Sequence, residues 1–380
     1  MASIYLHIPF CERKCFYCDF YSVTDIGRAR DFLASLMREI RQREDRGDGA
    51  LFEAVFFGGG TPSLLEPTQV ESILSHLHAA FRISPDAEVT LEANPGTVTG
   101  EKLEAFRSLG INRLSIGIQS FHDTELKFLG RIHDRAEALR CIELARAAGF
   151  ENISIDLIYS IPGQTLALWE NTLRTAIALA PQHMAAYSLT VEVATPLARM
   201  MGAGEVQPAP TDLEAEMYEQ TMELLAAHGF EHYEVSNYAL PGFSCRHNRN
   251  YWSHEDYVGF GPSAHSFRKE GEVIRGRRWW NVADLANYMD RLEREELPVE
   301  SEERVGLAEM LHERVFLGLR SGGVDLARLK RDFGYDLVTR ERDTLQWLLE
   351  DQMVIREGDL LRLTSKGYRL CDEIACRLVS

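Results

Sequence analysis

His7-Ile8-Pro9-Phe10-Cys11-Glu12-Arg13-Lys14-Cys15-Phe16-Tyr17-Cys18-Asp19-Phe20 continues directly from an apolar run, Ile4-Tyr5-Leu6-His7-Ile8. Cys11, Cys15 and Cys18 have the spacing C-x3-C-x2-C, and no fourth cysteine lies nearby. Cysteine thiolates hold iron–sulfur clusters, normally four of them around a [4Fe–4S] cube. Three ligands on one short loop leave one iron open to a small molecule. Structural zinc takes four protein ligands from paired Cys or Cys/His units, and no second pair stands at zinc spacing in this chain. The trio therefore reads as the ligand set of a [4Fe–4S] cluster with one iron free.

Around this loop, short apolar runs alternate with longer amphipathic ones as far as about residue 240. The strand-like runs are 4–8, 54–57, 88–92, 113–117, 153–157 and 185–189. Helix-like segments lie at about 28–45, 67–82, 100–109, 134–148 and 165–179, and another at 211–228 follows the last strand. Such βα alternation predicts an α/β fold with a parallel sheet and helices outside. Six units suit a partial (β/α)6 barrel, open on one side.

In parallel barrels functional side chains collect where strands end, and here the unusual residues fall at those places. The cysteines follow the first strand and Gly58-Gly59-Gly60-Thr61-Pro62 the second. Glu92 and Asn94-Pro95 end the third, Gly117 and Gln119-Ser120 the fourth, Asp156 the fifth. Beyond residue 300, helical segments at about 304–319, 325–332 and 339–350 lead to a hairpin turning at 357–359. That order predicts a small winged-helix-like α+β domain. The expected division is 1–240 for the barrel, 241–300 for a segment packed on it, and 301–380 for the C-terminal domain.

Composition narrows the function. The 380 residues are 45% hydrophobic and 26% charged, as in a globular protein, and a net charge of -17 argues against a nucleic-acid partner. Seven cysteines, a clustered trio with Cys141, Cys245, Cys371 and Cys376 scattered, are no disulfide framework and fit a reducing compartment. No basic leader and no run of roughly 18 apolar residues is present. A cytoplasmic location is expected, with at most peripheral membrane contact.

Glycines at 58–60 would let a ligand approach backbone groups closely. Glu92 and Asp156 suit hydroxyls or a cationic centre, Gln119 offers an amide, and Arg131 could pair with a carboxylate. A second grouping is Arg246-His247-Asn248-Arg249-Asn250-Tyr251-Trp252. A neutral histidine can ligate haem iron, and Tyr251 and Trp252 offer flat faces to a porphyrin. Cys245 is an alternative ligand, His265 a candidate neighbour, and Trp279-Trp280 read as packing or a lid. Equally, His247 could bond the backbone and Trp252 fill the core.

Tyr5, the cysteine loop, Gly58-Gly59-Gly60-Thr61-Pro62, Leu91-Glu92-Ala93-Asn94-Pro95 and Ser115-Ile116-Gly117-Ile118-Gln119-Ser120 resemble the HemN/HemW branch of the radical S-adenosylmethionine (SAM) proteins. The likeness covers nearly the whole chain. It implies that Cys11, Cys15 and Cys18 ligate the cluster. It further implies that Tyr5, Tyr17, Gly59, Gly60, Thr61, Glu92, Gln119, Arg131 and Asp156 surround SAM. The oxygen-independent coproporphyrinogen III dehydrogenases of this branch carry another cysteine where Phe20 stands here, and an N-terminal extension before the cysteine loop. The H-N-x-x-Y-W run at 247–252 resembles the HemW-type haem chaperones instead. That resemblance implies haem at His247, Asn248, Tyr251 and Trp252, apo-haemoprotein clients and a ferredoxin-like electron donor, and it leaves a homodimer open. The other expectation is a radical enzyme acting on coproporphyrinogen III or another tetrapyrrole.

Overall fold

The first and fourth strands of the chain alternate between apolar and polar positions, and a strand sends successive side chains to opposite faces of a sheet. In the first strand Ile4, Leu6 and Ile8 face one way and Ser3, Tyr5 and His7 the other. A computed structural model describes residues 2–44, 49–271 and 275–379. The expected end of the first helix, residue 45, lies outside the described residues. The apolar set joins Phe32, Leu36 and Ile40 of the following helix in one buried core. The polar set faces the interior of the barrel.

The order is β1 (Ala2–Ile8), α1 (Ala29–Gln42), β2 (Phe52–Gly59), α2 (Pro67–Ala80), β3 (Ile83–Ala93), α3 (Gly100–Ser108) and β4 (Arg113–Gln119). Then come α4 (Asp123–Leu129), α5 (Arg135–Ala147), β5 (Ile153–Tyr159), α6 (Leu166–Ala178), β6 (His183–Ser188), α7 (Pro196–Gly202) and α8 (Thr211–Ala227). The six expected strands and six helices are all present. β1 to β6 pair in sequence order, each parallel to the next.

The sheet is larger than six strands. β7 (Glu231–Glu234) and β8 (Asn237–Ala239) form a hairpin that adds antiparallel to β6. After α9 (Arg246–Trp252), β9 (Asp256–Phe260) pairs parallel with β1. β10 (His265–Lys269), β11 (Gly276–Asn281), α10 (Leu285–Glu293) and β12 (Val299–Val305) follow, the three strands running antiparallel to their neighbours. The result is one twelve-stranded sheet that ends in edges at β12 and β7 and does not close. Residues 304 and 305, read as the start of a helix, finish β12. Arg304 is held there by pairing with Arg277 of β11.

The C-terminal part has its own core, including Val315, Leu319, Leu345, Leu348, Leu361 and Ile374. It comprises α11 (Leu307–Leu319), β13 (Val324–Asp325), α12 (Leu326–Phe333), α13 (Leu337–Arg340) and α14 (Arg342–Glu350), then the hairpin of β14 (Val354–Glu357) and β15 (Leu360–Leu363). Two short helices, α15 (Ser365–Tyr368) and α16 (Cys371–Arg377), end it. The wing has three strands, because β13 pairs with β15 on the side away from β14.

Candidate functional site

The cysteine loop leaves β1 and is tied to the loop after β2 by backbone bonds. Gly60 N–H donates to Ile8 O at 2.8 Å, Thr61 N–H to Phe10 O at 2.7 Å, and Cys11 N–H to Val23 O at 3.0 Å. All three thiols are half-buried and line one cavity of about 530 Å³. Thr61 Oγ1 donates to Cys11 Sγ at 3.5 Å, and Arg131 Nη1 approaches Cys15 Sγ at 3.6 Å. Burial pushes the Cys18 thiol up to about 11 and raises that of Cys11 as well. Among the described residues no three His, Cys, Asp or Glu side chains are grouped to hold a metal ion. Three thiols on one loop lining one cavity are a donor set suited to an iron–sulfur cluster.

The same cavity gathers Tyr17, Gly59, Gly60, Thr61, Glu92, Gln119, Arg131 and Asp156. The glycines are needed for more than ligand approach. Gly59 has φ of 101°, and a Cβ there would meet the His7 ring at 2.7 Å. At Gly60 a Cβ would lie 2.6 Å from Phe10 O. Gln119 ends β4 at φ 68°, a left-handed backbone that turns its amide into the cavity. Asp156 is not at a strand end as the sequence suggested. It is the fourth of seven residues in β5, which runs on to Tyr159.

Arg131 is already engaged. Its Nη2 donates to Asn94 Oδ1 at 2.5 Å and to Gly117 O at 2.7 Å. Asn94 donates in turn to Thr61 Oγ1 at 2.9 Å, linking the ends of β2, β3 and β4 around the cluster loop. Asp156 accepts from Ser115 Oγ at 3.1 Å and from Ser154 Oγ at 2.9 Å. Glu92 is held high, to about 8, by burial first and then by the nearby Asp156 carboxylate. It is therefore mostly protonated at neutral pH. Asn94 was read in sequence only as a strand end, and Ser115 only within a motif. Their signal was the recurrence of polar residues on the inward face of buried strands.

Tyr5, His247 and Asn248 belong to a second, inner cavity of about 220 Å³. It shares Phe20, Gly59, Glu92, Ser115, Asp156 and Tyr187 with the first. α9 closes it from the N-terminal end of the strands. Arg246 N–H donates to Glu88 Oε1 at 2.8 Å, and His247 Nδ1 pairs with Ser3 Oγ at 3.0 Å. The His247 ring stacks on Phe56 and Tyr5, with centroids at 4.9 and 5.8 Å. Burial first, then Arg113, bring its pKa down to about 4, so it is neutral.

Asn250 Nδ2 donates both to Asp256 O at 2.9 Å and to Ser3 Oγ at 3.1 Å. Ser3 Oγ thus joins His247 and Asn250 of α9 to β1, and Asn250 carries the link on to β9. The structure does not bring His247, Asn248, Tyr251 and Trp252 to one surface. The first two line the inner cavity, while Tyr251 is exposed and packs on Tyr257. Trp252 meets Tyr251 edge-on. Cys245 is fully buried and His265 is exposed on β10 against Trp280. Trp279 is buried between the guanidinium groups of Arg43 and Arg277.

Residues 5–176 match the radical SAM superfamily, and residues 306–370 the HemN C-terminal domain. Heme chaperone HemW of Bacillus subtilis is 36% identical over 377 residues, 98% of this chain and 98% of that protein. Heme chaperone HemW of Escherichia coli is 40% identical over 277 residues, 72% of each chain. A solved structure of coproporphyrinogen III oxidase (HemN) from Escherichia coli, titled a radical SAM enzyme, superposes with a TM-score of 0.84. It covers 100% of this chain and 90% of that one at 22% identity, a likeness of fold.

Proposed function

The chain belongs to the radical SAM superfamily and, within it, to the HemW family of haem chaperones, and on that premise we propose that it binds haem and delivers it to apo-haemoproteins. The single observation that carries the cofactor part is the loop of three half-buried thiols opening on one cavity with Glu92, Gln119, Arg131 and Asp156. In this reading Cys11, Cys15 and Cys18 hold a [4Fe–4S] cluster. SAM takes the remaining space against Tyr17, Gly59, Gly60 and Thr61, with Tyr5 behind in the inner wall.

When bound and reduced, such a cluster can supply one-electron reductive chemistry to SAM. The chain's own part is to position and to insulate. Arg131 and Thr61 donate towards the thiol sulfurs, protonated Glu92 offers a hydrogen bond where a second anion would be repelled, and Ser115 and Ser154 orient Asp156. The reading includes a ferredoxin-like reductant and a cytoplasmic setting. No helix among the described residues is long and apolar enough to cross a membrane. Membrane contact and dimerisation are decided by vesicle sedimentation and by sizing with and without haem.

The test is an anaerobic haem titration of the cluster-reconstituted chain, followed at the Soret band. Saturable one-site binding, with haem passing to an apo-haemoprotein on mixing, is the expected result. No specific binding, together with decarboxylation of coproporphyrinogen III, would replace the chaperone by an enzyme. Phe20, 70% exposed at the cavity mouth where those enzymes carry a cysteine, weighs against that outcome.

A further inference from the structure

The mouth of the cluster cavity is bordered by apolar side chains that the fold leaves in solvent. Phe20 comes from the cluster loop, Ile132 from the connection between α4 and α5, and Tyr187 from the end of β6, and all three line the cavity. They are 70%, 48% and 43% exposed. Val191 and Val193 flank the cavity-lining Thr190 and Glu192 in the loop from β6 to α7, and Val193 is 93% exposed. One exposed apolar side chain needs no explanation, but a set gathered around one opening marks a binding surface.

These side chains are held out by built structure. Thr195 closes a turn on Glu192 O, through its N–H at 3.0 Å and its hydroxyl at 2.7 Å, and Val193 stands within that turn. Leu197 N–H donates to Phe16 O at 3.0 Å, which ties the same loop to the cluster loop. Beneath them Leu129, Ile158, Leu189 and Leu197 form a small core of their own, with Tyr17 of the cluster loop packed against it. Both lips of the opening thus rest on one packed base.

Shape and charge together select the occupant. An opening framed by apolar groups from three segments suits a flat apolar body lying across it. Arg13 and Lys14 line the same cavity and form no ion pair among the described residues, Arg13 lying over the Phe16 ring. Glu12, Asp19 and Glu192 line it too, so the rim offers a small free anion no net attraction. A molecule held by an apolar disc can still turn carboxylates at its edge towards the two cations.

We propose that haem lies across this mouth, its face on Phe20, Ile132 and Val193 and its propionates towards Arg13 and Lys14, above the space assigned to SAM. The placement rests on the haem reading above and sets the cargo apart from the His247 segment, whose residues share no surface. Haem so placed covers the cofactor cavity, so SAM enters before it and leaves after it.

The test uses the full-length, cluster-reconstituted chain, with haem titrated anaerobically at the Soret band in the presence of SAM. Phe20→Asp, Ile132→Asp and Val193→Asp alter exposed side chains, and iron content and thermal midpoint confirm that each variant folds. Each is expected to weaken haem binding about fivefold or more, as loss of an apolar contact does. Ile355→Asp, at a comparably exposed position on β14, is expected to leave it unchanged. Haem dimethyl ester is expected to bind wild type more weakly than haem, a difference that Arg13→Gln with Lys14→Gln removes. Radiolabelled SAM is expected to exchange more slowly once haem is bound, as binding at one mouth requires. Wild-type affinity in the folded lip variants, or SAM exchange unhindered by saturating haem, overturns the placement and leaves the haem reading standing. Loss confined to His247→Gln or Tyr251→Ala moves haem to α9 and likewise overturns it. Equal affinity for acid and ester overturns the role of Arg13 and Lys14. Self-association that Phe20→Asp abolishes, with haem binding unaffected, gives the lips to a second copy of the chain and overturns it too. A wild-type chain that binds no haem overturns both the placement and the haem reading.

Discussion

Glu92 and Asp156 lie in each other's fields inside the barrel, and their protonation decides what the cavity accepts. Glu92 titrates near 8 in the folded chain against about 4.5 when free. The folded state therefore holds its proton more tightly, and folding stability falls as pH rises between those values. The slope contributed is about 1.4 kcal/mol per pH unit. Denaturant midpoints of the apo chain at pH 6 and pH 8 should drop accordingly, and Glu92→Gln should remove most of that drop. An unchanged slope in the variant would place the titration elsewhere. Cys11→Ser with Cys15→Ser should abolish iron and sulfide binding while leaving most haem binding. Iron analysis beside the Soret titration checks both halves, and joint loss with the fold intact would mean one shared site.

α9 is the element whose meaning changed most between sequence and structure. It is seven residues long, too short to stand alone, and is fixed by bonds to the bases of β1 and β3. The His247 ring fills space between Phe56 and Tyr5, so truncation removes packing as well as any ligand function. His247→Ala should cost about 2 kcal/mol, the low end for loss of a large side chain, because His247 is half-buried. Loss of haem binding in that variant is informative only beside His247→Gln, which keeps much of the volume. The thermal midpoint of both separates the two effects. The loop after β2 is equally constrained, because Gly60→Ala would drive a Cβ onto Phe10 O. It should detach the cysteine loop and lower cluster occupancy at unchanged cysteine content.

The barrel and the C-terminal part keep separate cores and meet at a seam where Tyr257, Phe267 and Val305 cluster with Met310 beside polar pairs. Arg278 of β11 places Nη2 at 2.7 Å from both oxygens of Glu313 on α11, with Glu303 at 3.0 Å. Val235 N–H donates to Arg320 O at 2.8 Å, and the Tyr368 and His232 rings pack at 4.4 Å. The fork at Arg278 is partly exposed, so its loss should be modest. Arg278→Ala should lower stability by about 1 kcal/mol and speed proteolysis near residue 306, read as two fragments from limited digestion. Unchanged cleavage would mean that the apolar contacts alone hold the seam.

The six βα units, the cysteine loop and the residues around the cluster were legible along the chain, because each is a local pattern. Strand period, helix period, a three-cysteine spacing and a glycine run all act over a few residues. Even the polar lining was written there, in the alternation Ser3-Tyr5-His7, Glu88-Thr90-Glu92 and Arg113-Ser115-Gly117. The additional strands β7–β12 were not legible, since short strands with no βα rhythm gain their pairing only from an edge already formed. The partners of His247 were equally hidden. A histidine beside tyrosine and tryptophan reads equally as a flat-ligand site or as part of the core until β1 and β3 supply Ser3 and Glu88 to α9 from more than 150 residues away. Arg113 is the clearest case: the sequence offers an ordinary cation at a strand start, and only the barrel floor strips it of water and sets it in the fields of Glu88 and Asp156.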